Sequence, residues 1–284
     1  MKAFLLATVQ RATVLRHDYR SRWATQIRSM NWAAIAHELR FRWRRQVKPG
    51  TPSLSIEQPP LVSLVAASKR PARLQSLVDI ARSQTWGCVE LIVVANVENY
   101  RTRSGVLELD SNVTLVDLPH ASLGVCLNAG LEASSGLVVA KIDDDDLYSA
   151  HYVTRSMEGF LNSDAGVVGQ KSNFVYLAGS DKTYLRFPGN ENMFVGRLAG
   201  GTIMAKREVA MEIRFGDLNV GEDGDFIRRS ERAGHRIWSG VAGNYLQIRD
   251  DARDDHAWTF AEQGFLTGAT FVASGLAEDL WVRP

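Results

Sequence analysis

Three continuous apolar runs constrain this chain most: residues 61–67 (LVSLVAA), 89–95 (VELIVVA) and 137–142 (LVVAKI). Runs of this length, rich in β-branched residues and without alternation, read as strands buried on both faces. After the first run, Ser68 and Pro71 mark a helix start, and Leu74, Leu77, Val78, Ile80 and Ala81 give its inner face. A further strand is expected at 113–118, and a helix at 123–133 before Gly136. Strands and helices alternating at this spacing imply βαβ units around a mostly parallel sheet, an α/β fold. Downstream the pattern loosens. It predicts a strand over 167–177, a strand over 200–204 leading into a helix from Lys206, and a helix over 222–233 closed by Gly234. Short strands follow at 235–239 and 244–248, so a small antiparallel part joins the same continuous domain.

The 284 residues carry 33 Lys+Arg against 32 Asp+Glu, and 45% are hydrophobic, which excludes a disordered chain. The near balance hides an asymmetry. Residues 1–50 hold 11 basic residues and only Asp18 and Glu38, a charge of +9, leaving 22 basic and 30 acidic residues elsewhere. Trp32, Ile35, Ala36, Leu39 and Trp43 recur there at helical spacing, with Arg40, Arg42, Arg44 and Arg45 crowding the end. A basic amphipathic helix of this kind suits an anionic membrane surface; packing of its apolar stripe on the main domain is the alternative. Basic arms also bind nucleic acid, but no recognition motif downstream supports that, and no nucleic-acid partner is expected. Pro and Gly at 48–60 mark a linker. The expected division is a basic helical arm with linker at 1–58 and the α/β domain at 59–284. The first residues imitate a signal peptide only faintly, because Arg11 and Arg16 interrupt a short apolar run. Cys88 and Cys126 make no disulfide scaffold, so a reducing, cytoplasmic setting is expected.

Asp143-Asp144-Asp145-Asp146 directly follows the strand LVVAKI. Ligands of open α/β sheets bind at the carboxyl ends of the strands, and adjacent carboxylates repel one another unless a cation neutralises them. Clustered oxygen ligands suit Mg2+ or Mn2+ bridging to phosphates. For Asp146 alone the expectation is a cap on a helix starting near Leu147. A second acidic group, Glu222-Asp223 with Asp225, opens a helix. Two such clusters suggest a division of labour, one holding a metal–diphosphate and the other deprotonating a hydroxyl.

Residues 60–240 resemble the inverting family-2 glycosyltransferases of GT-A fold. The likeness is carried by the first strand with Ser68-Lys69-Arg70-Pro71, by Asn128, Gly130 and Gly136 around the 123–133 helix, by the DxD-like Asp143–Asp146 run, by Gly200-Gly201-Thr202, and by Glu222-Asp223. Arg249, Asp251, His256 and Trp258 are similar to an Arg…His-x-Trp ending of a family subset. The resemblance implies a Rossmann-like sheet flanked by helices and transfer of a sugar from a nucleotide-diphosphate donor to an acceptor hydroxyl, in cell-surface polysaccharide or glycolipid synthesis. It implies that Asp143 and Asp145 form the DxD, with Asp145 the direct ligand of Mn2+ or Mg2+. Asp144 would face the ribose, while Ala66, Ser68 and Arg70 would line the nucleotide pocket. Asp223 would be the general base, with Glu222 the second choice. His256 would complete the metal shell or touch the diphosphate, and Trp258 would stack on a sugar or anchor a lid. Where the family presents an aspartate to the base, this chain has Asn96, whose amide both donates and accepts.

The implied partners are a nucleotide-sugar donor, a glycan or lipid-linked acceptor, and an anionic membrane surface, which would make the enzyme peripheral on the inner face of the membrane. Two other readings stay open. A sugar nucleotidyltransferase would need a Gly-rich basic loop after the first strand, where the chain has Ala66-Ala67-Ser68-Lys69-Arg70. A non-catalytic glycan- or membrane-binding relative would be marked by loss of acids, and both acidic clusters are intact.

Overall fold

A computed structural model describes residues 59–106, 108–249 and 266–277. The expected arm and linker over 1–58, together with Asp251, His256 and Trp258, lie outside the described residues.

The described residues open with β1 (Val62–Ser68), a 3-10 turn at Pro71–Arg73, α1 (Leu74–Ser83) and β2 (Val89–Ala95). It continues through α2 (Tyr100–Ser104), β3 (Val113–Asp117), α3 (Leu123–Ala133), β4 (Val138–Lys141) and β5 (Leu147–Tyr148). After α4 (Tyr152–Asn162) come β6 (Val167–Gly169), β7 (Asn173–Leu177), β8 (Lys182–Arg186) and β9 (Met193–Phe194). A 3-10 turn at Gly200–Thr202 leads to β10 (Met204–Lys206), α5 (Arg207–Ile213), α6 (Glu222–Arg232), β11 (Ile237–Ser239), β12 (Tyr245–Arg249) and β13 (Ala269–Ser274). The main sheet has the order β3-β2-β1-β4-β10-β6-β11-β9, and a second has the order β13-β8-β7-β12-β5. Strands β3, β2, β1 and β4 run parallel, and β10 enters antiparallel between β4 and β6. The α/β expectation therefore holds. Strand order reverses direction from β1, flanked by β2 and β4, so the carboxyl ends of β1 and β4 form the crevice where such sheets bind ligands.

The apolar runs became central strands because nothing in them needs water: Leu64, Val65, Ala66 and all of 91–95 are buried. Helix α1 covers the sheet with Leu74, Leu77, Val78 and Ala81. Helix α3 starts where Ser122 Oγ accepts the Val125 N–H at 3.3 Å, a side-chain cap. Its Asn128 clasps Phe215, donating from Nδ2 to the carbonyl and accepting from the N–H, both at 2.8 Å. Two α3 glycines allow close approach: a Cβ on Gly130 would overlap the Val65 side chain, and one on Gly124 would overlap the Gly216 carbonyl oxygen.

Three local expectations are corrected. No helix starts at Leu147; Leu147 and Tyr148 instead pair with Leu246 and Tyr245 of β12, and the helix waits until Tyr152. Asp146 cannot cap it, because its carboxylate accepts from Tyr245 Oη at 2.6 Å and from the Ile248 N–H at 2.9 Å. The single strand expected over 167–177 divides between the two sheets as β6 and β7. The backbone N–H groups of Gln170 and Lys171 turn away to Thr202 Oγ1 and Ser239 Oγ, each at 2.9 Å. The strand expected over 200–204 begins only at Met204, because Gly200–Thr202 forms the 3-10 turn.

The packing at Gly124 gives a stability prediction. Ala is ordinarily the better helix former, but the overlap with a backbone carbonyl dominates. Gly124→Ala should destabilise the fold by about 2 kcal/mol or more, measured by urea denaturation.

Candidate active site

The carboxyl ends of β1 and β4 bring together most of the residues singled out from the sequence. Ser68 ends β1, and its Oγ donates to Asp144 Oδ2 at 2.5 Å. Arg70, two residues on, donates from Nε to the same oxygen at 3.2 Å, makes a second bond to Asp144 Oδ1, and pairs with Asp145 Oδ2 at 3.0 Å. The Arg70 guanidinium thus holds two adjacent carboxylates of the acidic run in a fork that a lysine does not offer. Ala66 lies behind this group, fully buried in β1 opposite Val93.

Asn96 follows β2 and is buried. Its N–H donates to the Ser68 carbonyl at 2.8 Å, and its Nδ2 donates to the Ala121 carbonyl at 2.9 Å. Its Oδ1 is buried with no hydrogen-bond partner. The donor half of the amide therefore serves the fold, and an acceptor remains.

Lys141, the last residue of β4, is 5% exposed and ties the two acidic clusters together. Its Nζ lies 3.0 Å from Asp143 Oδ1, 3.0 Å from Asp223 Oδ2 and 3.9 Å from Glu222 Oε1. Burial of the ammonium favours its neutral form, but Asp143, Asp223 and Glu222 outweigh that and hold the lysine well above its ordinary range. Sequence reasoning missed this residue. The available signal was one lysine inside a strand otherwise buried and apolar.

The surroundings are shaped for carboxylates. The Asp143 N–H donates to Tyr148 Oη, which donates on to the Gly201 carbonyl, both at 2.8 Å. A Cβ on Gly200 would overlap Asp223 Oδ2, and one on Gly201 would crowd Asp143 Oδ2, Tyr148 and Tyr245. Glu222 and Asp223 open α6 behind Gly221, whose φ of 83° is left-handed and suits glycine. Asp223 Oδ1 is buried without a hydrogen-bond partner. Desolvation raises Asp143 above its ordinary value; Lys141 opposes this, and the negative charges of Asp223 and Asp145 add to it. Burial, reinforced by Asp143 and Asp145, pushes Asp146 well up. The arrangement is a site with excess negative charge, two fixed cations, and unpartnered acceptor oxygens on Asn96 and Asp223.

The fold defined by this sheet order is of the GT-A class. The family model "Glycosyl transferase family 2" matches residues 64–208, and the chain belongs to that family. It is 28% identical over 127 residues to an uncharacterized glycosyltransferase of Nostoc sp., covering 43% of this chain and 39% of that protein. It is 26% identical to the glucosyl-dolichyl phosphate glucuronosyltransferase of Haloferax volcanii, over 62% of this chain and 65% of that one. It is 23% identical to the O-antigen biosynthesis glycosyltransferase WbnJ of Escherichia coli, over 66% and 79%. The chain thus spans less than two thirds of the length of the first two relatives. Among solved structures, it is similar to S. aureus TarS 1-349 in complex with UDP-GlcNAc, with TM-score 0.56 and 14% identity over 73% of this chain and 64% of that one. A mannosyltransferase from Pyrobaculum calidifontis in complex with GDP-Man and Mn2+ gives TM-score 0.53 and 15% identity over 78% and 68%. These structural likenesses establish the GT-A fold.

Glu222 carries a pH prediction. Burial raises its carboxyl from an ordinary 4.5 to about 7, with the charge of Asp223 adding and Lys141 opposing. The folded chain therefore keeps a proton that the unfolded chain releases. The stability this group contributes is complete below about pH 4.5 and is lost as pH rises through about 7. Glu222→Gln should remove that slope and stabilise the protein at pH 8 by on the order of 2 kcal/mol, read from thermal melts of both proteins between pH 5 and 8.

Proposed function

We propose that this chain is a metal-dependent inverting glycosyltransferase that moves a sugar from a nucleoside-diphosphate donor to an acceptor hydroxyl. The observation that carries the reading is the meeting of the two acidic clusters across one buried lysine: Asp143 and Asp223 share Lys141 at 3.0 Å each. Asp223 is the general base in this reading. Its carboxylate, partly exposed beside Lys141, takes the proton of the acceptor hydroxyl as that oxygen attacks the anomeric carbon. The bond from the anomeric carbon to the diphosphate oxygen breaks on the opposite face, and its electron pair leaves with the nucleoside diphosphate. One displacement inverts the anomeric configuration.

Asp143 and Asp145 would hold the divalent cation. Among the described residues no group of three His, Cys, Asp or Glu side chains is placed to hold a metal ion; Mg2+ or Mn2+ would draw the rest of its shell from waters and substrate phosphates. The raised Asp143 carboxyl, among like charges, is the kind of group such a cation relieves. Bound there, the ion supplies Lewis-acid stabilisation of the departing diphosphate. His256 is the proposed third ligand. Ser68, Arg70 and Asp144 shape the nucleotide side, and Asn96 Oδ1 suits a base edge that offers an N–H.

The related proteins bind UDP-GlcNAc, or GDP-Man with Mn2+, and two relatives are named for dolichyl-phosphate and O-antigen glycans. A lipid-linked or growing polysaccharide acceptor is the parallel for this chain. The +9 charge of residues 1–50, with Trp32 and Trp43, supports peripheral attachment of the arm (1–58) to an anionic membrane while 59–284 catalyses. Among the described residues no helix is long and apolar enough to cross a membrane.

The reading is tested by offering UDP-, GDP- and dTDP-sugars with Mn2+ or Mg2+ and an acceptor, and measuring release of nucleoside diphosphate. Release from one donor only when metal is present is expected. Asp145→Ala should lose metal-dependent nucleoside-diphosphate binding in calorimetry. Asp223→Asn should keep that binding and lose transfer by about 100-fold or more; full transfer by Asp223→Asn would remove it as the base. Separately, the intact chain should float with anionic but not neutral liposomes at low salt, and equal behaviour on both would end the membrane assignment.

A further inference from the structure

A lysine buried at the end of a strand costs several kcal/mol in lost hydration unless its partners restore it. The sheet itself has no use for the charge, since β4 is otherwise Val138, Val139 and Ala140, all buried. The Lys141 ammonium pairs with carboxylates of Asp143, Asp223 and Glu222, which belong to two different pieces of chain, the β4 end and the start of α6.

We propose that Lys141 is a positioning residue for the transfer step, fixing the Asp223 carboxylate relative to the diphosphate site so that it meets the acceptor hydroxyl. The inference rests on the transferase reading above. Lys141 takes Asp223 Oδ2 at 3.0 Å. The Gly200 backbone also closes against that oxygen, with no room for a Cβ. Oδ2 is thus held on two sides, and Oδ1 is the oxygen without a hydrogen-bond partner. The ammonium stands 3.9 Å from Glu222, so it distinguishes between the two neighbouring acids and selects Asp223. Its other bond, to Asp143 Oδ1 at 3.0 Å, anchors the same cation to the carboxylate run that receives the diphosphate. The distance from base to donor is then set by one side chain rather than by packing of α6 alone. A misplacement of about 1 Å between reacting groups costs on the order of 100-fold in rate.

The test is Lys141→Met, which keeps length and removes charge. Expected are a transfer kcat lowered about 100-fold, with donor KM and Mn2+-dependent nucleoside-diphosphate affinity within about three-fold of wild type. In an Asp223→Asn background the same change should lower residual transfer by less than about three-fold, because the two residues act as a unit. Unchanged kcat, a full further loss in the Asp223→Asn background, or loss of nucleotide affinity would each overturn the proposal. Should Lys141→Met fail to fold, Lys141→Gln carries the same comparison. A wild-type enzyme silent on every donor would fault the reaction rather than the pairing. The pairing is then read from urea denaturation of Lys141→Met, Asp223→Asn and the double variant, where strictly additive effects would overturn it.

Discussion

Like charges crowded into a desolvated place repel strongly, and the rest of this structure is arranged around that repulsion. Asp143 to Asp146 are consecutive, and Glu222 and Asp223 arrive from a helix start on the far side. The chain relieves the crowding by sending each carboxylate of the run to a different partner. Asp143 goes to Lys141, Asp144 to Ser68 and Arg70, Asp145 to Arg70, and Asp146 to the Tyr245 hydroxyl and the Ile248 N–H of the second sheet. Asp144 and Asp146 are buried, and removing the partners of either leaves a desolvated carboxyl without compensation, which costs more than the intact interaction contributes.

That arrangement explains features of the fold that look local. The second sheet meets the main one at the acidic run because β5 and β12 pair there, and because Tyr245 reaches Asp146 from β12. Tyr148 links the Asp143 N–H to the Gly201 carbonyl, so the 3-10 turn at Gly200–Thr202 is part of the same network. Its two glycines stand where side chains would displace Asp223 and Asp143. Small residues here make room for ionised ones.

The sequence made the first half of the fold legible because its signals are one-dimensional. A strand buried on both faces is apolar throughout, and an amphipathic helix repeats every few residues, so β1, α1, β2, β3, α3 and β4 stand close to where periodicity puts them. The candidate site was legible in kind for a similar reason: acids clustered at a strand end and at a helix start mark themselves. What escaped depends on contacts between distant residues. The split of 167–177 needs the Thr202 and Ser239 hydroxyls, the β5 pairing needs β12, and the engagement of Asp146 needs Tyr245. Lys141 sits in the apolar run LVVAKI, and its role becomes visible only when Glu222 and Asp223, some 80 residues away, close on it.

The acids at positions 222 and 223 show how burial and one cation make two neighbours unlike. Both open the same helix, and in an isolated peptide they would differ little. In the fold, the Lys141 ammonium is 3.0 Å from Asp223 but 3.9 Å from Glu222, and Glu222 is buried while the Asp223 side chain is partly exposed. Desolvation, with the charge on Asp223 adding and Lys141 opposing, raises the Glu222 carboxyl to about 7. Of the two, Asp223 is the one that keeps both an ion pair and an acceptor oxygen without a partner. Environments that set adjacent titratable groups apart are how a single fold separates their roles. Here burial of Glu222 makes most of the difference, and the closer reach of Lys141 to Asp223 adds to it.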